Sequence, residues 1–206
     1  MKNVAVFASG RGSNFEQLCI AQNNGKLPAK IGLLIASKNG IGAIETAKKY
    51  RIAHAVFDTK EFDDLEKYNH ELLARLDNNN INFIALAGWL RLIHSSVIEK
   101  FQNRIINIHP ALLPFFGGKG MYGAHVHRAV FKSGMLVSGA TVHLVDPEFD
   151  HGHIILQESV QLSCEDTPES IAEKVLKIEH RIFPKALSLL VEGNVILKNN
   201  RVFIKG

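Results

Sequence analysis

The sequence has 206 residues, of which 46% are hydrophobic and 21% are charged, and its formal net charge at pH 7 is +4. This composition is typical of a folded domain, and it excludes a disordered or low-complexity chain. The basic residues are scattered along the chain, so we expect small anionic ligands as partners and no nucleic acid.

Two further features concern the cellular location of the protein. No stretch reaches the roughly 18 consecutive apolar residues of a membrane span, and the apolar run Val4–Ala8 ends too early for a signal peptide. Cys19 and Cys164 are too few for a disulfide framework and lie in no CxxC motif. We therefore expect a cytoplasmic protein with no membrane partner, acting as a monomer or a homodimer.

The first half of the chain alternates short β-branched runs with longer helical stretches. Strands are predicted at Val4–Ala8, Ile31–Ala36, Ala53–Phe57, Phe83–Ala87 and Arg104–Ile108, and helices at Phe15–Gln22, Ile41–Tyr50, Asp63–Leu76 and Ser96–Phe101. Strands and helices at this pitch form right-handed βαβ units. They predict a parallel sheet with helices on both faces.

The second half has a mixed pattern. A loop is predicted at Pro110–Gly123, helices at Ala124–Lys132 and from Thr167-Pro168 onward, a hairpin from Ala140–Val145 and Ile154–Val160, and a last hairpin from Val195–Leu197 and Arg201–Ile204 across Asn199-Asn200. Pro184 is expected to bend or interrupt the long helix. Overall we predict a single Rossmann-like α/β domain over residues 1–206. Its nucleotide-binding-like half, about 1–106, is followed by a half, about 107–206, that continues the same, mostly parallel sheet.

The segment Ser9–Asn14 (SGRGSN) joins the first predicted strand to the first helix. Its glycines allow the backbone to approach an anion, and a helix N-terminus offers free N–H groups. The segment lacks the third glycine of a dinucleotide fingerprint and the Lys-Ser/Thr of a P-loop. A single small phosphate therefore fits better than a dinucleotide or a triphosphate, the alternative being a plain strand-to-helix turn.

A second polar group lies at the end of the fifth predicted strand. Strand alternation places Asn107 and His109 on the same side, where an amide donor and an imidazole suit stabilisation of an oxyanion. The acidic turn Asp146–Gly152 offers a carboxylate that can orient and charge a distant histidine. Structural alternatives remain open for both groups: a histidine that only packs, and a turn that caps its own amides.

Other chemistries are less well supported. The pairs His125-x-His127 and His151-x-His153 have no spacing that defines a metal motif and no cysteine nearby, so we expect no metal. The chain has no G-x-S-x-G motif, and neither cysteine has a neighbouring base. Direct attack of one bound substrate on another is therefore favoured over covalent catalysis.

Five segments taken together identify a family resemblance. They are VAVFASGRGSNF, FIALAGWLRLI, IINIHPALLP, SGATVHLVDPEFDHGHIILQ and KIEHRIFP. In this order, from about Val4 to Pro184, they resemble the folate-dependent formyltransferases, and within them the glycinamide ribonucleotide formyltransferases. The resemblance implies the formyltransferase fold and transfer of a formyl group from 10-formyltetrahydrofolate to the amine of glycinamide ribonucleotide, a step of purine biosynthesis that gives formylglycinamide ribonucleotide and tetrahydrofolate.

The resemblance also implies roles for individual residues. Asn107, His109 and Asp150 match the catalytic residues of the family. The ribonucleotide-binding residues are Gly12, Ser13 and Asn14, which match the phosphate loop, and Glu179. The folate-binding residues are Leu90, Arg91, Leu92, Ile93 and Asn107, with Arg91 as the polar member of the Leu90–Ile93 segment. For Glu179, the alternative is a solvent-exposed glutamate on a helix surface.

The sequence departs from the commoner family pattern at two places. The segment Phe115–Ala124 is longer than the corresponding loop, and Leu65 falls where many members carry an arginine near the folate. Two other functions remain as alternatives: another 10-formyltetrahydrofolate-dependent formyltransferase or hydrolase, and a non-catalytic nucleotide-binding module. The first would carry a further domain, which we do not expect here, and the second would not need Asn107, His109 or Asp150.

Overall fold

A computed structural model describes residues 1–199 and 201–205. Its strands are β1 (Lys2–Ala8), β2 (Ala29–Ala36), β3 (Ala53–Val56), β4 (Phe83–Leu86), β5 (Ile105–His109), β6 (Val137–Leu144), β7 (Ile154–Gln161), β8 (Val195–Lys198) and β9 (Arg201–Ile204). Its helices are α1 (Ser13–Asn23), α2 (Gly42–Lys49), α3 (Leu65–Asn78), α4 (Ser95–Lys100), α5 (Ala124–Ser133) and α6 (Pro168–Val191). Each predicted element is present, with ends that shift by a few residues.

Seven strands form one sheet in the order β3-β2-β1-β4-β5-β6-β7. The first five strands in this order are parallel, and β6 and β7 add antiparallel at one edge. The predicted α/β class and mostly parallel sheet with a mixed second half are confirmed. The chain reverses its direction across the sheet between β1 and β4, and a ligand crevice is favoured at such a point.

Both faces of the sheet are covered, because successive strand residues point to opposite sides. Val4 and Val6 of β1 belong to a core that also includes residues of α1, α2, α5 and α6. Ala5 and Phe7 of the same strand belong to a second core, which is closed by α3 and α4. The continuous burial of β1 therefore reflects a strand packed on both faces.

The expectation that Pro184 interrupts the last long helix is wrong. Helix α6 runs without a break from Pro168 to Val191, with Thr167 as its N-cap. An interior proline costs about 3 kcal/mol. However, Phe183 and Leu187 beside it are fully buried, and each such side chain stabilises the fold by about 1.5–3 kcal/mol. Packing against the sheet thus outweighs the local penalty.

Strands β8 and β9 form a separate two-stranded sheet, so the expectation that the second half continues the central sheet holds only as far as β7. Lys198 pairs with Arg201, as expected for a hairpin, and the predicted turn residue Asn200 lies outside the described residues. Within residues 1–199 and 201–205, no helix combines the length and the apolar character needed to cross a membrane.

Candidate active site

Most of the sequence-predicted polar residues meet around a cavity of about 480 Å³ at the carboxyl ends of β1, β4 and β5, whereas Gly12, Ser13 and Arg91 are not among its lining residues. Asn14 and Glu179 line one part of this cavity, and Asn107, His109 and Asp150 line another. The segment 118–123 and the segment 88–90 complete its wall. Two groups of residues that are far apart in the chain therefore share one space large enough for substrate-sized molecules.

His109 is buried at the end of β5, and both of its ring nitrogens face acceptors. Its Nε2 lies 2.9 Å from the carbonyl oxygen of Phe116, and its Nδ1 lies 3.4 Å from Oδ2 of Asp150. A neutral imidazole carries only one N–H, whereas an imidazolium carries two. The arrangement therefore suits a protonated His109 that is held beside a carboxylate.

Asp150 is fixed from several directions. Its φ is +54°, in the left-handed region, and its Oδ2 accepts a hydrogen bond of 3.0 Å from the N–H of Gly118. Burial acts to raise the pKa of Asp150, but the hydrogen bond and charge of His109 and the Gly118 N–H together hold this pKa well below its usual range. Asp150 is thus a buried, ionised carboxylate.

The side chain of Asn107 lies on the same side of β5 as His109, as strand alternation predicts. Its Nδ2 lies 3.2 Å from Oδ1 of Asp150 and 3.1 Å from Nε2 of His143. The acidic turn therefore does more than cap its own amides, because Asp150 contacts both polar residues of the strand end. This cluster can stabilise negative charge that develops on a carbonyl oxygen.

The segment between β1 and α1 has the geometry of an open helix N-terminus. Gly12 is the N-cap residue of α1, with φ +85°, and no side chain caps the first N–H groups of the helix. The amide of Asn14 has a buried Oδ1 with no partner among the described residues. Free backbone N–H groups at this point can bind an anion such as a phosphate.

Gly12 also has a structural role that the sequence does not reveal. A Cβ at this position would lie 2.7 Å from Cα of Ala43, whereas a Cβ at Gly10 would meet no atom within 4 Å. We expect Gly12→Ala to lower the free energy of unfolding by about 2–4 kcal/mol, through left-handed strain and overpacking. Urea denaturation measures this effect. Gly10→Ala is the matched control, and equal stability of the two variants would refute the packing argument.

Glu179 lies at the base of the cavity rather than in solvent. It is 8% exposed, and its Oε2 accepts a hydrogen bond of 2.5 Å from Nδ2 of Asn14. Burial raises the pKa of Glu179, and the amide of Asn14 and the charge of His109 only partly oppose this. The solvent-exposed alternative is therefore wrong, and α6 places a carboxyl group next to the helix N-terminus of α1.

The Leu90–Ile93 segment lies after β4, as predicted, but its members differ in orientation. Leu90 and Leu92 are exposed and Ile93 is buried. The guanidinium of Arg91 donates hydrogen bonds to the carbonyl oxygens of Phe57 and Ser37, at 2.7 and 3.0 Å. Arg91 thus anchors its segment to the ends of neighbouring strands, and it also lines a small cavity together with Leu92 and Ile93.

Sequence reasoning missed three contributors to the site. Phe116 supplies the carbonyl oxygen at His109, His143 contacts Asn107, and His127 is a buried member of the cavity wall. Burial lowers the pKa of His127, and the charge of His109 acts in the same direction. The alternation of Thr141 and His143 along β6 is the sequence signal that could have placed His143 opposite Asn107.

The two departures from the family pattern differ in their relation to the cavity. The long loop contributes the Gly118–Gly123 part of the wall. Leu65 is 63% exposed at the start of α3 and is not among the residues that line the cavity. Among the described residues, no group of three or more His, Cys, Asp or Glu side chains is arranged to hold a metal ion.

The comparisons with known proteins all indicate the same family. The sequence model of the formyl transferase family matches residues 2–187. A chloroplastic phosphoribosylglycinamide formyltransferase of Arabidopsis thaliana is 38% identical over 94% of this chain and 67% of its own length. The phosphoribosylglycinamide formyltransferase of Bacillus subtilis is 35% identical, over 94% of this chain and 97% of the relative.

A solved structure shows the same fold. The glycinamide ribonucleotide transformylase 1 of Symbiobacterium toebii has a TM-score of 0.93 and 31% sequence identity, over all of this chain and 95% of that one. The similarity therefore extends over the central sheet, the helices and the segments that form the cavity.

Proposed function

The chain belongs to the formyl transferase family, and from this premise we propose that it transfers the formyl group of 10-formyltetrahydrofolate to the amine of glycinamide ribonucleotide. The products are formylglycinamide ribonucleotide and tetrahydrofolate. The observation that carries the proposal is one cavity that joins the Asn107–His109–Asp150 cluster to Asn14 and Glu179. The reaction needs this combination, because the formyl group of the folate must come into contact with the amine of the ribonucleotide.

In the proposed reaction the amine nitrogen attacks the formyl carbon, and the carbonyl electron pair moves to oxygen. His109 and an N–H of Asn107 donate hydrogen bonds to this oxyanion. The oxyanion then replaces the Phe116 carbonyl as the acceptor at Nε2 of His109. Collapse of the intermediate breaks the bond to the folate nitrogen, and the proton lost by the amine is transferred to that nitrogen. The carboxylate of Asp150, 3.4 Å from Nδ1 of His109, can orient the ring and stabilise positive charge on it.

The ribonucleotide occupies the part of the cavity near α1. Its phosphate is bound by the backbone of Gly12, Ser13 and Asn14 at the helix N-terminus. The carboxyl group of Glu179 accepts hydrogen bonds from ribose hydroxyls or from the substrate amine. The distance between the helix N-terminus and the catalytic cluster is then spanned by the ribose and the glycinamide.

The folate occupies the part of the cavity formed by Leu90, Phe149 and Asp150. A smaller cavity of about 50 Å³ lies beside it and is lined by residues that include Arg91, Leu92, Ile93 and Asn107, and it receives only an edge of the folate ring. The proposal treats residues 1–206 as one catalytic domain, because both halves supply strands to one sheet. It also places the reaction in the cytoplasm, in agreement with free Cys19 and Cys164.

Purified protein tests the proposal directly. Incubation with glycinamide ribonucleotide and 10-formyltetrahydrofolate should give tetrahydrofolate and formylglycinamide ribonucleotide in equal amounts. Release of formate without transfer would indicate the hydrolase alternative. Ribonucleotide binding with neither product would indicate the non-catalytic module, and in that case substitution of His109 would change nothing.

Glu179→Gln is expected to raise KM for glycinamide ribonucleotide about tenfold and to leave KM for the folate within twofold. The amide keeps the size of the carboxyl group but loses an acceptor and its charge, and a charged hydrogen bond is worth roughly 1.5–3 kcal/mol. Steady-state kinetics with each substrate varied in turn measures both constants. Glu173→Gln, on the exposed side of the same helix, is the control. Equal effects on both substrates would contradict the assignment.

A further inference from the structure

Asn107 and His143 are direct neighbours across two antiparallel strands. They are paired in the register of β5 and β6, so their side chains lie on the same side of the sheet. Nδ2 of Asn107 lies 3.1 Å from Nε2 of His143. The His143 side chain is 3% exposed, so water does not replace this contact.

The backbone fixes which nitrogen of His143 carries the proton. Nδ1 lies 2.8 Å from the carbonyl oxygen of its neighbour Leu144, and a carbonyl can only accept, so Nδ1 carries the hydrogen. Nε2 of the neutral ring then presents a lone pair. Its 3.6 Å separation from Oδ1 of Asp150 is too long for a hydrogen bond. The close partner of Nε2 is therefore an N–H of Asn107.

The same amide nitrogen also faces Asp150, at 3.2 Å. The three distances form a triangle in which the two acceptors subtend about 70° at Nδ2. The two N–H bonds of a planar amide are separated by roughly 120°. Each N–H can therefore point toward one acceptor, about 25° from the direction of Nε2 of His143 or of Oδ1 of Asp150.

We propose that His143 is a positioning residue that, with Asp150, holds the amide of Asn107 so that its N–H groups, and not its oxygen, face the place where the oxyanion forms. The reversed amide is excluded, because its oxygen would face both the Asp150 carboxylate and the Nε2 lone pair. Without His143, only Asp150 constrains the amide, whose terminal torsion is intrinsically broad. The inference rests on the proposed formyl transfer for its kinetic effect but not for the hydrogen-bond geometry.

Two variants of His143 separate positioning from packing. His143→Leu fills the space without an acceptor, and we expect kcat to fall about tenfold to thirtyfold while both KM values stay within twofold. This loss is smaller than the roughly 10²–10³ expected for removing an oxyanion donor outright. His143→Gln supplies a carbonyl oxygen as a replacement acceptor, and kcat should remain within about threefold of the unmodified protein. Equal losses in the two variants would overturn the proposal.

A double-mutant cycle with Asn107→Ala tests whether His143 acts through Asn107. Once Asn107 is absent, His143→Leu should lower kcat by less than twofold. A full tenfold loss in that background would assign His143 another role and overturn the proposal.

NMR of the side-chain amide of Asn107 in the free protein gives a readout that does not need activity. The amide proton that points to His143 should change its shift in His143→Leu, whereas both amide shifts in His143→Gln should stay close to those of the unmodified protein. If these shifts behave as expected and no formyl transfer occurs, only the proposed function fails. Unchanged shifts in His143→Leu would overturn the positioning role itself.

Discussion

His109→Ala is expected to lower kcat by a factor of about 10²–10³, the cost of removing one oxyanion donor. His109 lies in the cavity wall with Nδ1 beside Asp150, so the substitution removes a hydrogen-bond donor from the place where the oxyanion forms. KM for glycinamide ribonucleotide should change little, because Asn14 and Glu179 remain. Steady-state kinetics at saturating concentrations of both substrates measures the loss.

His125→Ala is the matched control for this experiment. His125 lies near the start of α5 and is exposed, so its removal should leave kcat within about twofold. Circular dichroism of both variants checks that they remain folded. Turnover of the His109 variant at the level of the control would contradict the oxyanion role.

Asp150→Asn is expected to have the second large effect, a loss of roughly 10²-fold in kcat at neutral pH. Asparagine keeps the size of the side chain but removes the negative charge beside His109. Its amide would also present donors where the carboxylate now accepts hydrogen bonds from Gly118 and Asn107. Asp146→Asn, in the same turn, is the control for kinetics. A kcat of the Asp150 variant within a few fold of the unmodified protein would contradict the charge-partner role.

The lowered pKa of Asp150 also predicts how the stability of the Asp150→Asn variant, relative to the unmodified protein, depends on pH. An aspartate of the unfolded chain titrates near 3.9. Since the folded-state pKa is below this value, the carboxylate stabilises the fold above about pH 4, and this contribution is lost as the pH falls through the folded-state pKa. The difference in unfolding free energy between the unmodified protein and Asp150→Asn should therefore become smaller from pH 6 to pH 3. Urea denaturation at each pH measures it, and a constant difference would contradict the lowered pKa.

Much of the fold could be predicted because its signals are local. The alternation of β-branched runs with helical stretches indicates a parallel sheet with two covered faces, and Thr167 with Pro168 defines the start of the last helix. The interruption expected at Pro184 is absent because a local rule was applied to a helix whose stability comes from tertiary packing. The left-handed Gly12 against Ala43 was likewise invisible, since it depends on how two helices meet.

In the candidate site, too, some contacts could be predicted from the sequence and others could not. Asn107 and His109 share a side of one strand, so their proximity follows from alternation. Contact with Asp150 joins residues 43 positions apart, and the sequence alone could only suggest it through the family resemblance. His143 was missed because its contact with Asn107 depends on the register of β5 and β6. Phe116 was missed because it contributes a backbone carbonyl, which no side-chain pattern reveals.

The most direct test of formyl transfer by this chain follows an isotopic label in the formyl carbon of 10-formyltetrahydrofolate. Purified protein is mixed with this donor and glycinamide ribonucleotide, and the labelled carbon is located in the products by NMR or by chromatography. Our account predicts that the label appears in formylglycinamide ribonucleotide, in proportion to the tetrahydrofolate formed, and that His109→Ala slows its appearance. Label that appears only in formate, or remains in the folate, would contradict it.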